Sequence, residues 1–311
     1  MRVAALQTTA GPDRGENLDR AGRLVDEAVA GGAGLVVLPE YFSVAGSPDH
    51  LRSHAEPLEG PTVAWAVDLA RHHRIHLLAG TFPERLDGPA PSGAAPGRAG
   101  PPDRIANTSC LVDPTGSLRA VYRKVHLFDV SLGAATFHES ATVTAGTELC
   151  VASLDVAPGD HDGAPAGGTG PVLGLSVCYD LRFPELFRIL ALEGATVVAA
   201  PSAFTAATGP AHWELLLRAR AVENQVFMIG AGQVGDLPRG MPACHGHSMI
   251  VDPWGSVLAE RDDPTPGVVL AELDMAYQAR IRSELPVLAN RRPAAYRWPR
   301  DDTRGGAGSG R

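Results

Sequence analysis

Apolar residues in this chain fall into short continuous runs that alternate with stretches of helical spacing. The first run, RVAALQ, predicts a short buried strand, since a brief apolar run bounded by polar residues is too short for a helix. Leu18, Ala21, Val25 and Ala28 then recur at intervals of three and four, the pattern of one helix face, and Gly31–Gly32 closes the helix. GLVVLPE (34–40) predicts a second strand closed by a proline, Pro61 opens a second helix, and IHLLAG (75–80) predicts the next strand. Strands alternating with helices predict a layered α/β fold. Residues 86–103 and 157–170 are rich in Pro, Gly and Ala and carry no apolar periodicity, so they read as surface insertions in a domain covering 1–297. The tail 298–311 has the composition of a disordered segment.

The chain also repeats itself. GAGLVVLPEYF (32–42) aligns without gaps to GATVVAAPSAF (194–204), and LVDPTGSLRAVYR (111–123) resembles IVDPWGSVLAER (250–261) around a DPxG turn. The same order in both halves predicts one domain built from two similar α/β units. The first alignment sets Ser202 against Glu40 and Phe204 against Phe42, so Ser202 and Phe204 are expected to face the same cleft as Glu40. It also shows that the strand–Pro–loop geometry does not itself require a carboxylate at position 40.

Composition narrows the function. A net charge of −8 argues against a nucleic-acid partner, which calls for a basic face. No apolar run has the length of a membrane span, and the opening residues lack the charged and apolar regions of a signal peptide, so a cytoplasmic location is expected. Cys110, Cys150, Cys178 and Cys244 are scattered without a CxxC pair, which reads as reduced thiols. Of the 27 basic residues, 26 are Arg and one is Lys, Lys124. Where composition so favours Arg, a retained Lys draws attention, because a compact ammonium acts where a planar guanidinium cannot.

The sharpest local signal is VLGLSVCYDLRFPEL (172–186). A buried strand delivers Cys178 at its carboxyl end, and Pro184 suits the first turn of the following helix. Unpaired backbone N–H groups at such a junction favour a thiolate and an oxyanion alike. A nucleophilic Cys needs a base and an oxyanion partner. LPEYF supplies Glu40 and YRKVHLFD (122–129) supplies Lys124, each at a predicted strand end, the rim where α/β sheets place their sites. A Cys–His hydrolase using His126 or His212 is a rival reading.

These three motifs resemble the signatures of the nitrilase superfamily of carbon–nitrogen hydrolases, and TGPAHWELLLRARAVENQ (208–225), GHSMIVDPWG (246–255) and LPVLANRRP (285–293) extend the likeness, in order, to about residue 297. The resemblance implies a four-layer αββα sandwich, with Glu40 as base, Lys124 at the oxyanion, Cys178 as nucleophile and a supporting second glutamate, Glu139, in a loop that looks one residue short. The Tyr179 backbone N–H would be a second oxyanion donor, and His212 would line the site. Cofactor-free hydrolysis of a small carboxylate-bearing amide follows, most like deaminated-glutathione amidases. An omega-amidase acting on 2-oxo-dicarboxylate monoamides is the near alternative, and a nitrilase or a non-catalytic subunit a more distant one. A homodimer or larger homo-oligomer is implied as well. Arg182 is a candidate for a substrate carboxylate, unless Glu185 or Glu223 takes it. His72, His73 and His76 read as a charged helix face rather than a metal site, and CHGH (244–247) as structure or pocket wall.

Overall fold

In the computed structural model, residues 1–86, 104–132, 135–154, 170–238 and 241–297 are described. The two expected insertions lie almost wholly, and the expected tail wholly, outside these residues. The first half contributes strands β1 (Arg2–Gln7), β2 (Leu35–Val37), β3 (His76–Leu78), β4 (Phe82–Arg85), β5 (Ile105–Val112) and β6 (Leu118–Arg123), with helices α1 (Arg14–Ala30), α2 (Pro48–Ser53) and α3 (Pro61–His73). A small hairpin follows, β7 (Asp129–Leu132) and β8 (Ala135–His138). The second half contributes β9 (Val151–Ser153), β10 (Val172–Leu175), β11 (Val197–Ser202) and β12 (Phe227–Gly232), with helices α4 (Pro184–Leu192) and α5 (Gly209–Asn224). The pair β13 (Val234–Gly235) and β14 (Cys244–His245) precedes β15 (Met249–Val251) and β16 (Val257–Glu260). Last, β17 (Gly267–Glu272) returns to the first sheet, and α6 (Met275–Glu284) follows.

One sheet runs β17-β1-β2-β3-β5-β4 with β6 beside β5, the other β16-β15-β12-β11-β10-β9. Each has three parallel strands at its centre and antiparallel strands outside. The continuous apolar runs are explained by the layering. Val3, Ala5, Leu35 and Val37 join a core shared with the second sheet, whereas Ala4, Leu6, Val36 and Leu38 join Ala21, Val25, Ala28, Ala66 and Ala70 of α1 and α3. Alternate side chains of one strand thus enter two different cores, so both alternations of these runs are apolar. Leu186, Phe187, Leu190, Trp213 and Leu217 of α4 and α5 cover the second sheet, which completes four layers.

The repeated DPxG turns have the same internal bonding. Asp113 Oδ1 accepts from the N–H of Thr115 (2.8 Å) and Ser117 (3.0 Å), and Asp252 Oδ1 from Trp254 (2.8 Å) and Ser256 (2.9 Å). Gly116 and Gly255 sit at φ 85 and 92°, where a side chain would be strained. The sequence reading missed α2, although Ser47 caps it, accepting from His50 N–H, and Pro48 opens it.

Candidate active site

Three strands end beneath one cavity. β2 stops at Val37, Pro39 breaks the ladder, and Glu40 follows at the rim. Its carbonyl accepts from Gln233 Nε2 (2.9 Å), and the next residue, Tyr41, is held at φ 55° with its N–H on Thr81 Oγ1 (2.8 Å). Cys178 likewise has a positive φ, 46°, and starts a short 3-10 helix, Cys178–Arg182. Such backbone costs about 1–3 kcal/mol per residue and persists only where the surroundings hold it. The clamp here is Asp180, fully buried, whose Oδ2 accepts from Val177 N–H (2.8 Å) and the Tyr122 hydroxyl (2.7 Å). His126 Nδ1 lies 2.7 Å from Asp180 Oδ1, and its ring stacks on Phe183 at 3.6 Å. Asp180 therefore ties the Cys178 turn to the segment carrying Lys124, and His126 serves that tie. The first turn of the 3-10 helix leaves the N–H groups of Cys178 and Tyr179 without an intrahelical acceptor.

The structure brings Glu40, Lys124, Cys178 and Glu139 together. Lys124, 2% exposed, donates from Nζ to Glu40 Oε1 (2.9 Å) and Glu139 Oε2 (2.8 Å). Counting acceptor positions separates the two carboxylates, since each has four. Those of Glu139 are filled: Tyr41 hydroxyl (3.1 Å) and Asn107 Nδ2 (3.1 Å) on Oε1, Lys124 and Phe128 N–H (2.7 Å) on Oε2. Glu40 accepts from Lys124 and Asn107 Nδ2 (2.8 Å) on Oε1 and from Ala203 N–H (2.8 Å) on Oε2. One position remains, and the Cys178 thiol lines the same cavity, close enough for the Glu40 charge to act on it. The shortened loop has not displaced Glu139. Asn107 and Asp180 escaped the sequence reading; Asn107 is a buried amide in the middle of a strand, an unusual placement that is the only trace of it in the sequence.

Burial pushes the Cys178 thiol well above its ordinary pKa, and Glu40 adds to this more than Lys124 relieves it. Burial and the Glu40 charge thus favour the thiol over the thiolate, against the pull of Lys124. Burial disfavours the Lys124 ammonium, but Glu139 and Glu40 outweigh it and hold the group well above the ordinary lysine range. Burial likewise opposes ionisation of Glu139, yet Lys124 holds its carboxyl below the usual range. Burial and Glu139 push the Tyr41 hydroxyl up. Tyr41, Lys124 and Cys178 all keep their protons longer folded than unfolded, so the stability they contribute is complete below the unfolded pKa and is lost as pH rises through the folded one. The thermal midpoint is therefore expected to fall above about pH 9, and Cys178→Ala to reduce that slope, as melts followed by circular dichroism would show.

The cavity has a volume of about 230 Å³. Beside the polar cluster, Phe128, Phe137, Tyr179 and Phe204 contribute its aromatic lining, and Leu51 and Met241 line it too. Arg182 also lines it. Its guanidinium lies 5.2 Å from the Phe204 ring centre and 5.9 Å from that of Tyr179, with Nη1 3.2 Å from His212 Nδ1 and Nη2 3.4 Å from Thr208 Oγ1. Among the described residues no carboxylate pairs with it. Glu223, a suggested partner, binds Arg220 at 2.8 Å instead.

Two expected placements are corrected. Ser202 is fully buried with its hydroxyl on Ala200 O (3.0 Å) and does not line the cavity. The reason is strand length: β11 runs through Ser202, whereas β2 ends three residues before Glu40, so the aligned residues differ in conformation. Only Phe204 of the pair faces the cleft. His212 does not line the cavity and meets it through Arg182. As for the other histidines, α3 ends at His73, which bonds Asp26 (2.8 Å), and His76 lies in β3, so no single helix presents His72 with His76. In CHGH, the His245 and His247 rings stack at 4.3 Å, and burial, aided by His247, pushes His245 down to about 4. The described residues contain no group of three side chains able to hold a metal ion.

Residues 2–283 match the family model for carbon-nitrogen hydrolases. A deaminated glutathione amidase of Synechocystis is 39% identical over 290 residues, 93% of this chain and 97% of that protein. The omega-amidase NIT2 of Xenopus tropicalis is 33% identical over 296 residues, 95% and 96% of the two chains. The crystal structure of Saccharomyces cerevisiae Nit3, a member of branch 10 of the nitrilase superfamily, superposes with a TM-score of 0.75 at 33% identity, covering 92% of this chain and 94% of that one.

Proposed function

The chain belongs to the carbon–nitrogen hydrolase family, and from that premise we propose that it hydrolyses a small carboxylate-bearing amide, of the deaminated-glutathione type, to acid and ammonia. One observation carries the assignment of roles: Glu40 has a single unfilled acceptor position, beside the Cys178 thiol, while Glu139 has none. Glu40 takes the thiol proton as Sγ attacks the amide carbon, which matches a thiol that rests protonated and needs a base at the moment of attack. The tetrahedral oxyanion is held by the remaining Lys124 N–H and the Tyr179 N–H. Glu40 returns the proton to the amide nitrogen, ammonia leaves, and a thioester on Cys178 remains. Water then attacks that thioester, giving its proton to Glu40; the acid leaves and the thiol is restored. Glu139, saturated by four donors, fixes Lys124 and stays anionic. The chemistry draws on no metal or organic cofactor.

Arg182 is the proposed seat of the substrate carboxylate, supported by a guanidinium that lines the cavity and, among the described residues, lacks a carboxylate partner. Arg182→Met is expected to raise KM at least about tenfold for carboxylate-bearing amides and far less for a neutral amide of equal length. An ammonia-release screen over deaminated glutathione, 2-oxoglutaramate, simple amides and nitriles tests the substrate class. Preference for 2-oxoglutaramate would select the omega-amidase reading, which the Xenopus relative favours. Intact-protein mass should show the acyl adduct on Cys178. Four free cysteines support a reducing, cytoplasmic location. Exposed Ile189, Leu192, Leu215 and Val222 on α4 and α5 support a homodimer or larger assembly.

A further inference from the structure

Asn107 lies in β5, 1% exposed, and belongs to the polar cluster without lining the cavity. Its carbonyl accepts from Lys124 N–H at 2.9 Å, so the strand that carries it also sets the backbone of the lysine. Its side-chain nitrogen donates to both carboxylates, 2.8 Å to Glu40 Oε1 and 3.1 Å to Glu139 Oε1. Rotating the amide by half a turn would press Oδ1 against two carboxylate oxygens, so the donor orientation is fixed by electrostatics. The cost is visible: Oδ1 is buried without a hydrogen-bond partner, so the amide gives up its acceptor to place its donors on the two carboxylates.

Two carboxylates this close, bridged by one ammonium, form a cluster with one charge uncompensated. Neighbouring carboxylates in that condition tend to share a proton, which raises the apparent pKa of one of them. A proton held by Glu40 would remove the base. We infer that Asn107 is a positioning residue that keeps Glu40 and Glu139 ionised together, by setting one N–H on each carboxylate where a shared proton would otherwise bind. It acts through Glu40, touches no reacting atom, and adds no charge of its own. An amide suits the task because it supplies two donors from one nitrogen; an acid in its place would compete for the same proton. The other ionisable groups facing the pair are Lys124 from the end of β6, Cys178 from the 3-10 turn, Tyr41 beside Glu40, and Cys244 of β14 at longer range. Arg182 and His138 line the same cavity.

The inference rests on Glu40 being the base, and the test separates the two. Ammonia release and alkylation of Cys178 by iodoacetamide are followed against pH for the full chain, Asn107→Ala and Asn107→Asp, with Glu40→Gln as reference. Both Asn107 variants are expected to move the acid limb of kcat/KM and of alkylation upward by about one pH unit, Asp further than Ala. At pH 7 their kcat/KM should fall at least about tenfold. Activity lost equally at every pH, with the limb in place, would overturn the inference, as would failure of both variants to fold. If Glu40→Gln alkylates with the profile of the native chain, the assignment of Glu40 as base falls instead. If the native chain releases ammonia from no amide but its alkylation limb still moves with Asn107, the inference stands and the amidase reading falls.

Discussion

Cys178→Ala is expected to release no ammonia above background, a loss of about 10⁴-fold or more, while the protein stays folded. The size of the effect follows from the site. Sγ shares the cavity with the Glu40 carboxylate and sits at the start of a 3-10 helix whose first N–H groups have no intrahelical acceptor. No other thiol lines the cavity, and Cys150 packs against the core just before β9. Cys244 is buried with its sulfur on Pro242 O at 3.7 Å, and Cys110 lies in the interior of β5. Alanine removes the sulfur without disturbing the anchors of the turn, which are the Asp180 bonds to Val177 and Tyr122. Relief from holding a buried thiol offsets part of the lost packing, so the thermal midpoint should shift by only a few degrees, on the order of 1 kcal/mol. Glu40→Gln should abolish the acyl adduct as well. Replacing His212 should alter KM through Arg182, and His126→Gln should weaken the Asp180 clamp. If the histidine variants alone lost activity while Glu40→Gln kept it, a Cys–His mechanism would take the place of this one. The readouts are a coupled ammonia assay and intact-protein mass.

The sequence made much of this legible because the relevant signals are local. A run such as RVAALQ is a strand buried on both faces, and a Pro after a strand marks the rim. Cys178 and Lys124 stood out as a strand-end thiol and a lone lysine. The internal repeat correctly paired the two halves and the two DPxG turns, since an Asp and a Gly at fixed spacing determine a turn by themselves. It failed at Ser202, where one strand outlasts the other and the aligned residues no longer share a conformation. Asn107 and Asp180 were invisible for another reason. Their importance arises from partners 58 or 67 positions away in the chain, such as Tyr122 with Asp180 and Glu40 with Asn107. Arg182 remained undecided in the sequence because two acids were within plausible reach; only packing shows that Glu223 is occupied by Arg220. The resting state of the nucleophile is set by burial and by the Glu40 charge, neither of which a local motif displays. A lysine near a cysteine suggests a thiolate, but burial and the Glu40 charge outweigh it here.

Lys124→Arg, conservative in charge, is expected to be within about tenfold of Lys124→Ala in activity, both about 10²–10³-fold or more below the native chain. The ammonium sits 2% exposed between two carboxylate oxygens and keeps one N–H for the oxyanion. A guanidinium is planar, larger and fixed in its fork, so it cannot point single donors in three directions from one atom. Forcing it into a filled site costs about 1–3 kcal/mol of overpacking and displaces Glu40 from the thiol. The two variants separate by stability. Lys124→Ala leaves two carboxylates buried side by side without a cation, a loss of about 3–5 kcal/mol unless one takes up a proton. That reverses a pH dependence. In the native chain Glu139 is held below the usual range, so its contribution is present above the unfolded carboxylate pKa and is lost as pH falls through the folded one. In Lys124→Ala the pair's folded pKa rises, so the contribution is complete below the unfolded value and is lost as pH increases. Urea midpoints should therefore rise with pH up to about pH 5 and then level off in the native chain and in Lys124→Arg, and fall between about pH 4 and 7 in Lys124→Ala. An active arginine variant would mean that the lone lysine supplies only charge, and that the oxyanion is held by the backbone N–H groups of the cysteine turn; parallel slopes in all three would mean that the Lys124 charge does not govern the ionisation of the carboxylate pair.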